Sequence, residues 1–298
     1  MFFNKNPKLT VIICFYNMIR ESRRSLHSLL PEYQNGITSD DYEVIALDNG
    51  SSLPLDGKWV ESLSPNFRYK YFDTESVSPC VGINYAVSLA KAENILIIID
   101  GARILTPGML NYSLLVADLF PRYFAYSIAM HIGNESQNIS MLKGYNQDRE
   151  DELLKTINWH KNGYSLFSIS CLAGSSKGGF LKQPAESNCF AMTKSDFLSI
   201  GGYEERFQAP GGGTANLEFF NRVNTHEDIQ PVMLLGEATF HQFHGGVTTN
   251  VPPKEHPREK NQKEFREIKN KPYELFKRPP IFFGHWPEEC TGFLSLNI

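Results

Sequence analysis

Three short apolar runs, each ending in polar residues, constrain this chain more than any other feature. Val11-Ile12-Ile13-Cys14-Phe15 runs into Tyr16-Asn17. Glu43 to Asp48 (EVIALD) runs into Asn49-Gly50-Ser51-Ser52, and Ile95 to Ile99 runs into Asp100-Gly101-Ala102-Arg103. Runs this short, apolar on both faces, read as strands buried inside a parallel sheet. Between the first two lies helical spacing (Ile19, Leu26, Leu29, Leu30), with Asn17 expected as the cap and Pro31 as the stop. Val81, Tyr85 and Leu89 mark a second helix from Pro79 to Ala92, and Phe67 to Phe72 a further strand. This alternation predicts an α/β fold: a parallel sheet covered on both faces.

The second half is less regular. A helix is expected over Met109 to Phe120, and an alternating strand over Tyr123 to Met130. A helix over Asp148 to His160 has acidic residues in its first turn, matching the dipole. Further strands are expected at Asn188 to Thr193 and Val232 to Leu235, and a helix over Thr214 to Asn224 with Thr214 as cap. Beyond Asn250 the chain turns Pro- and Lys-rich. The expected organisation is one domain over 1–250, with 251–298 an irregular C-terminal arm packed on it.

With 298 residues, 41% of them hydrophobic, the chain can bury a large core. A net charge of −4 gives no polyanion-binding surface, so no nucleic-acid partner is expected. No apolar run approaches the ~20 residues of a membrane span. Met1-Phe2-Phe3 gives way at once to Asn4-Lys5-Asn6, unlike a signal peptide. The five cysteines lack C-x-x-C spacing and read as reduced packing residues. A cytoplasmic protein is expected, or one peripheral to the inner face of the membrane.

In open α/β sheets, ligands bind beyond the carboxyl ends of the strands. Three such ends here carry polar groups: Phe15-Tyr16-Asn17, Asp48-Asn49-Gly50 and Asp100-Gly101-Ala102. Carboxylates on separate strands suit a base or ribose edge and a cation. No G-x-G-x-x-G follows the first strand and no G-x-x-x-x-G-K-[ST] occurs, which leaves a dinucleotide site and a P-loop without support.

V-I-I-C-F-Y-N, then E-V-I-A-L-D-N-G-S-S, then N-Y-A-V-S-L-A-K-A-E-N-I-L-I-I-I-D-G-A resembles the three-part N-terminal pattern of family 2 glycosyltransferases. Gly201 to Phe207 (GGYEERF) and Leu217 to Arg222 (LEFFNR) resemble the segments that follow in the same order, over roughly the first 245 residues. The resemblance implies an α/β fold of GT-A, Rossmann-like type, with a mixed, mainly parallel sheet flanked by helices. It also implies a nucleotide-sugar donor, with Phe15, Asn17, Asp48, Asn84, Asp100 and Gly101 lining the nucleotide site. Asp100 stands at the first position of the family's D-x-D motif, whose carboxylates hold ribose and a divalent metal, Mn²⁺ or Mg²⁺. A cation offsets the charge on a departing nucleoside diphosphate.

The chain departs from the family pattern twice. Ala102 replaces the second D-x-D carboxylate, and Ala215-Asn216 stands where the family's helix opens with E-D, the source of the catalytic base. His241 and His244, after a strand, can take over as metal ligands with Asp100, since imidazole suits Mn²⁺ or Zn²⁺. A late His on the metal also occurs in GT-A enzymes. Two histidines three apart can equally be packed or solvated. Glu218, one turn further along the helix, can act as general base; a bridge to Arg222 at i, i+4 is the other reading. Asp48 either contacts the nucleotide or caps its own turn. Gly211-Gly212-Gly213 can cradle a phosphate or hinge a lid, and Glu186, Ser187 and Asn188 can line the acceptor side.

The expectation is therefore a metal-assisted, inverting glycosyltransferase. It moves a hexose from a UDP- or GDP-sugar to a hydroxyl of a glycan or glycoconjugate acceptor, in polysaccharide or glycoconjugate synthesis. Two rivals stay open. One is a family member that binds nucleotide sugar without turnover. The other is a sugar-phosphate nucleotidyltransferase, although no Gly-rich, basic loop follows the first strand.

Overall fold

The computed structural model describes residues 6–294; the Met1-Phe2-Phe3 run and the last four residues of the C-terminal arm lie outside them. In chain order the elements are β1 (Leu9–Phe15), α1 (Ile19–His27), β2 (Tyr42–Asn49), α2 (Gly57–Ser62), β3 (Phe67–Phe72), α3 (Cys80–Ser88), β4 (Asn94–Ile98), β5 (Arg103–Leu105) and α4 (Met109–Leu119). They continue with β6 (Tyr123–Ile132), α5 (Gln137–Ser140), α6 (Gln147–Lys155), β7 (Ser170–Leu172), β8 (Cys189–Thr193), α7 (Lys194–Ser199), α8 (Ala215–Asn224), β9 (Gln230–His241), α9 (Arg258–Lys269) and β10 (Ile281–Gly284).

All ten strands join one sheet, ordered β10-β9-β6-β8-β4-β1-β2-β3, with β5 on β9 and β7 on β6. Strands β4, β1, β2 and β3 pair in parallel, as the apolar runs required. Strand β8 runs antiparallel between β4 and β6, and splits the sheet into two parallel sectors. Both faces of β1, β2 and β6 are buried along their whole length. The chain has the α/β architecture expected from its alternating pattern, and its sheet is mixed and mainly parallel, as the resemblance implied.

Several local expectations differ from what is observed. Asn17 does not cap α1, because its backbone takes a left-handed φ of 54° and its side chain turns to another loop. Strand β6 is buried at every position rather than alternately, since it lies in mid-sheet with helices packed over it: Phe220 of α8 covers Phe124 and Tyr126, and α4 also packs against the strand. Helix α6 stops at Lys155; the chain then turns so that Trp159 packs edge-on against His27, 5.3 Å between ring centres. Thr214 precedes α8, but its hydroxyl makes no cap bond. Strand β9 runs on to His241, well past Leu235. The arm is more regular than its composition suggests: α9 packs Phe265 against Phe207, and β10 adds a parallel strand beside β9. The five cysteines are free. No helix among the described residues is long and apolar enough to cross a membrane.

Candidate active site

Sheet register builds the site. In the parallel sector Phe15 pairs with Asp48, and Ile13 with Ile98, so Asp48 and Asp100 reach the same end of the sheet on either side of Phe15. Two strand spacings put them about 10 Å apart. After β4 the chain turns through Asp100-Gly101-Ala102 and pairs β5 antiparallel to β9, with Arg103 opposite His241. The Ala102 carbonyl accepts from the Gln242 N–H at 2.8 Å, which extends that pairing by one bond. Asp100 is thereby carried to the end of β9.

There Asp100 Oδ2 lies 3.1 Å from His241 Nε2, and His241 Nε2 lies 3.2 Å from His244 Nε2. His244 Nε2 is 3.9 Å from Asp100 Oδ1, and one ligand atom from each residue lies within 4.8 Å of the others. Gln137 Oε1 sits 2.7 Å from His241 Nδ1. An amide oxygen only accepts, so Nδ1 carries the proton and the Nε2 lone pair faces Asp100 and His244. A carboxylate and two imidazoles thus converge, a donor set that suits a borderline divalent cation. Burial favours the neutral ring and, although Asp100 opposes it, lowers His241 to about 4. Burial works against the charge on Asp100; Arg103, whose Nε lies 3.4 Å from Asp100 Oδ2, favours it.

The segment carrying the two histidines is held at three points. Gln137, fully buried, donates its amide to the His241 carbonyl at 2.9 Å. Glu150, also fully buried, accepts from the Phe243 N–H at 2.6 Å. Burial raises Glu150 to about 7, against the pull of that N–H and of Arg20 and Arg24. Asn250 Oδ1 accepts from the N–H groups of His244, Gly245 and Gly246 at 3.0–3.1 Å, and its amide donates to Gln137. A cavity of about 440 Å³ lined by Asn146, Gln147, Asp148, Phe243, His244 and Gly245 opens beside His244. A second, of about 470 Å³, lies at the opposite end of the strands, near Lys8 and Asn94, away from this chemistry.

The other residues singled out in the sequence are distributed as follows. Asp48 is fully buried and accepts from the N–H groups of Ser51 and Leu55 and from the Tyr69 hydroxyl at 2.8–3.2 Å. Asn17 Oδ1 accepts from Ser52 Oγ and the Leu53 N–H, so both residues shape the loop after β2. The Phe15 ring is buried against Gly101, where a Cβ would stand 2.2 Å from Phe15 Cδ1. Asn84 brackets Tyr203, accepting from its N–H and donating to its carbonyl, both at 2.9 Å. Ala102 is buried, and its N–H donates to Asp100 Oδ1 at 3.0 Å. Glu218 is buried between two cations: Arg222 Nε and Nη2 donate to it at 2.9 and 3.0 Å, and Lys269 Nζ lies at 2.7 Å.

Sequence reasoning brought Asp100, His241 and His244 together but missed Gln137, Asn250 and Glu150. Glu150 was read as one of the acidic residues that complement a helix dipole. Nothing in the pattern distinguishes it from its exposed neighbours.

The fold is a mainly parallel, helix-flanked sheet of GT-A type, with polar groups gathered at the carboxyl ends of its strands. The sequence profile of Glycosyl transferase family 2 matches residues 10–186, more than half of the chain, and the chain belongs to that family. Among solved structures it is similar to residues 1–349 of S. aureus TarS, with a TM-score of 0.51 and 12% identity, covering 79% of this chain and 60% of that one. The same TarS fragment in complex with UDP gives a TM-score of 0.50 at 12% identity, covering 80% and 61%. Longer S. aureus TarS gives 0.51 at 11% identity, covering 88% and 43%. The chain spans less than two-thirds of the length of these TarS structures. No curated protein matches the sequence.

Proposed function

We propose that this protein transfers a sugar from a nucleoside diphosphate sugar to a hydroxyl of a glycan or glycoconjugate acceptor, with inversion at the anomeric carbon and with a divalent cation, Mn²⁺ or Mg²⁺. The observation that carries this reading is the convergence of Asp100, His241 and His244 at the carboxyl end of a family 2 sheet. These three residues would hold the cation, which when bound offsets the charge of the departing diphosphate. Gln137 and Asn250 keep the imidazoles aimed. Asn17 and Asp48 form the loop against which the nucleotide sits, with exposed Tyr16 and Leu53 offering apolar faces to its base. Phe15, Gly101 and Asn84 support that pocket from beneath. UDP bound to the structurally similar S. aureus TarS fragment favours a uridine donor, with guanosine as the alternative.

A thermal-shift panel of UDP, GDP, CDP and dTDP, with and without Mn²⁺, tests the reading. One nucleotide at a hundred times its Kd should add about 2.7 kcal/mol of stability, several degrees in Tm. The gain should be larger with Mn²⁺, and the metal-dependent part should vanish in Asp100→Asn. A shift indifferent to both metal and Asp100 overturns the cation site. Buried Ala102 and Asn216, where carboxylates are usual, favour a second reading: binding without turnover. Release of free nucleoside diphosphate from a sugar donor rules that out, and release of pyrophosphate from a nucleoside triphosphate would mean a nucleotidyltransferase instead.

A further inference from the structure

A transfer site needs a group to take the acceptor's proton, and Glu218 is poorly placed for it. Residues two apart on a helix point about 200° apart. Asn216, in the first turn of α8, faces the segment entering β8, so Glu218 faces the other way, toward Arg222 and Lys269.

What Asn216 faces is another carboxylate. Its Nδ2 donates to Glu186 Oε2 and to the Ser187 carbonyl, both at 3.0 Å, and its Oδ1 accepts from the Tyr203 hydroxyl at 3.1 Å. Three hydrogen bonds leave the buried Asn216 amide no freedom; it is a bracket. Glu186 is half-buried, and among the described residues its second oxygen takes no hydrogen bond. The Ile99 N–H donates to the Asn188 carbonyl, so residues 186–188 enter β8 alongside the end of β4, from which Asp100 emerges. Buried Arg103, 3.4 Å from Asp100 Oδ2, lies within electrostatic reach of both carboxylates.

We propose that Glu186 is the general base for the acceptor hydroxyl and that Asn216 positions it, an inference that rests on the sugar-transfer reading above. The acceptor oxygen forms its bond to the anomeric carbon as its proton passes to the free oxygen of Glu186. The bond from that carbon to the β-phosphate oxygen breaks, and its electron pair leaves with the nucleoside diphosphate. Protonated Glu186, being only half-buried, then returns the proton to solvent. Burial raises the Glu186 carboxyl above its ordinary value, against the Asn216 hydrogen bond and Arg103, toward the range where a base works near neutral pH. Arg103, Tyr203 and Tyr273 are the titratable groups that sense its charge.

The test uses the full chain with Mn²⁺ and UDP-glucose, UDP-N-acetylglucosamine and GDP-mannose, water serving as acceptor. Release of nucleoside diphosphate is followed from pH 5 to 9. Glu186→Gln should keep the nucleotide-induced thermal shift of the wild type, lose about 10²- to 10⁴-fold in release rate, and lose the acid limb of the pH profile. Glu186→Asp should keep that limb at a reduced rate. A purely structural Glu186 would change the thermal shift and leave the limb in place. The proposal is overturned if Glu186→Gln stays within about threefold of wild type, or if Glu218→Gln, with binding intact, is the variant that abolishes release and the limb. A wild type that neither binds nucleotide nor releases it sinks the sugar-transfer reading itself, an outcome distinct from a failure confined to Glu186.

Discussion

Replacing Glu237 by Gln probes a carboxyl that the catalytic reading does not use. Glu237 lies in β9, fully buried, with Oε1 accepting from the Tyr164 hydroxyl at 2.8 Å and Oε2 without a partner among the described residues. His285, beside β10, places its Nδ1 3.5 Å from Oε1 and stacks on Tyr112. Burial raises Glu237 from its ordinary 4.5 to about 8, against the pull of the nearby Thr106, Tyr164 and Gly108 donors. The folded protein therefore keeps a proton that the unfolded chain has already released. This contribution to stability is complete below pH 4.5, falls as pH rises to about 8, and is constant beyond. At 1.36 kcal/mol per pH unit the loss is on the order of 5 kcal/mol, or about 10 °C in Tm for a domain of this size.

Glutamine keeps the acceptor for Tyr164 and removes the titration. The assay is thermal unfolding of wild type and Glu237→Gln from pH 4.5 to 9, read as the difference between the two curves, because Glu150 titrates near 7 in both. The curves should nearly coincide at pH 4.5 and separate steadily, the variant gaining about 10 °C by pH 8 to 9. Parallel curves would mean that Glu237 is already ionised in the folded state and that burial has not been decisive.

Two further outcomes follow from the site. Gly101→Ala places a Cβ 2.2 Å from Phe15 Cδ1 and 2.8 Å from the Cys14 carbonyl, so overpacking should cost about 1–3 kcal/mol, visible as a lower Tm before any nucleotide is added. Gln137→Leu removes the acceptor that fixes the His241 tautomer and should weaken Mn²⁺ binding about 10- to 100-fold, measured by calorimetric titration against wild type.

The parallel sector was legible because its physics is local. A strand buried on both faces must be apolar along its length, and Val11 to Phe15 and Ile95 to Ile99 announce this without reference to anything else. Sequence order also exposed the family, and with it the expectation that Asp100 and a late histidine share a cation. Elements whose burial depends on distant partners were harder to read. Strand β6 looked half-exposed because its own residues do not reveal that α4 and α8 will pack over it. Strand β9 looked short because Gly236 and Glu237 interrupt an apolar run; pairing with β5 and β6 carries it through to His241 all the same.

The polar side chains show the same division more sharply. Asn17 and Asp48 read as ligand contacts from their place at strand ends, yet such ends also need donors and acceptors to shape the loops that follow. Here the N–H groups of Ser51, Leu53 and Leu55 claim both side chains. Asn216 read as a lost carboxylate. Its three partners come from the segment entering β8 and from Tyr203, distant contacts that no spacing rule discloses. A carboxylate and an amide that hydrogen-bond to each other can exchange positions without emptying the site of charge. The loss of an acid at a motif position therefore counts against activity only after the residue facing it has been identified, and in this chain that residue is Glu186.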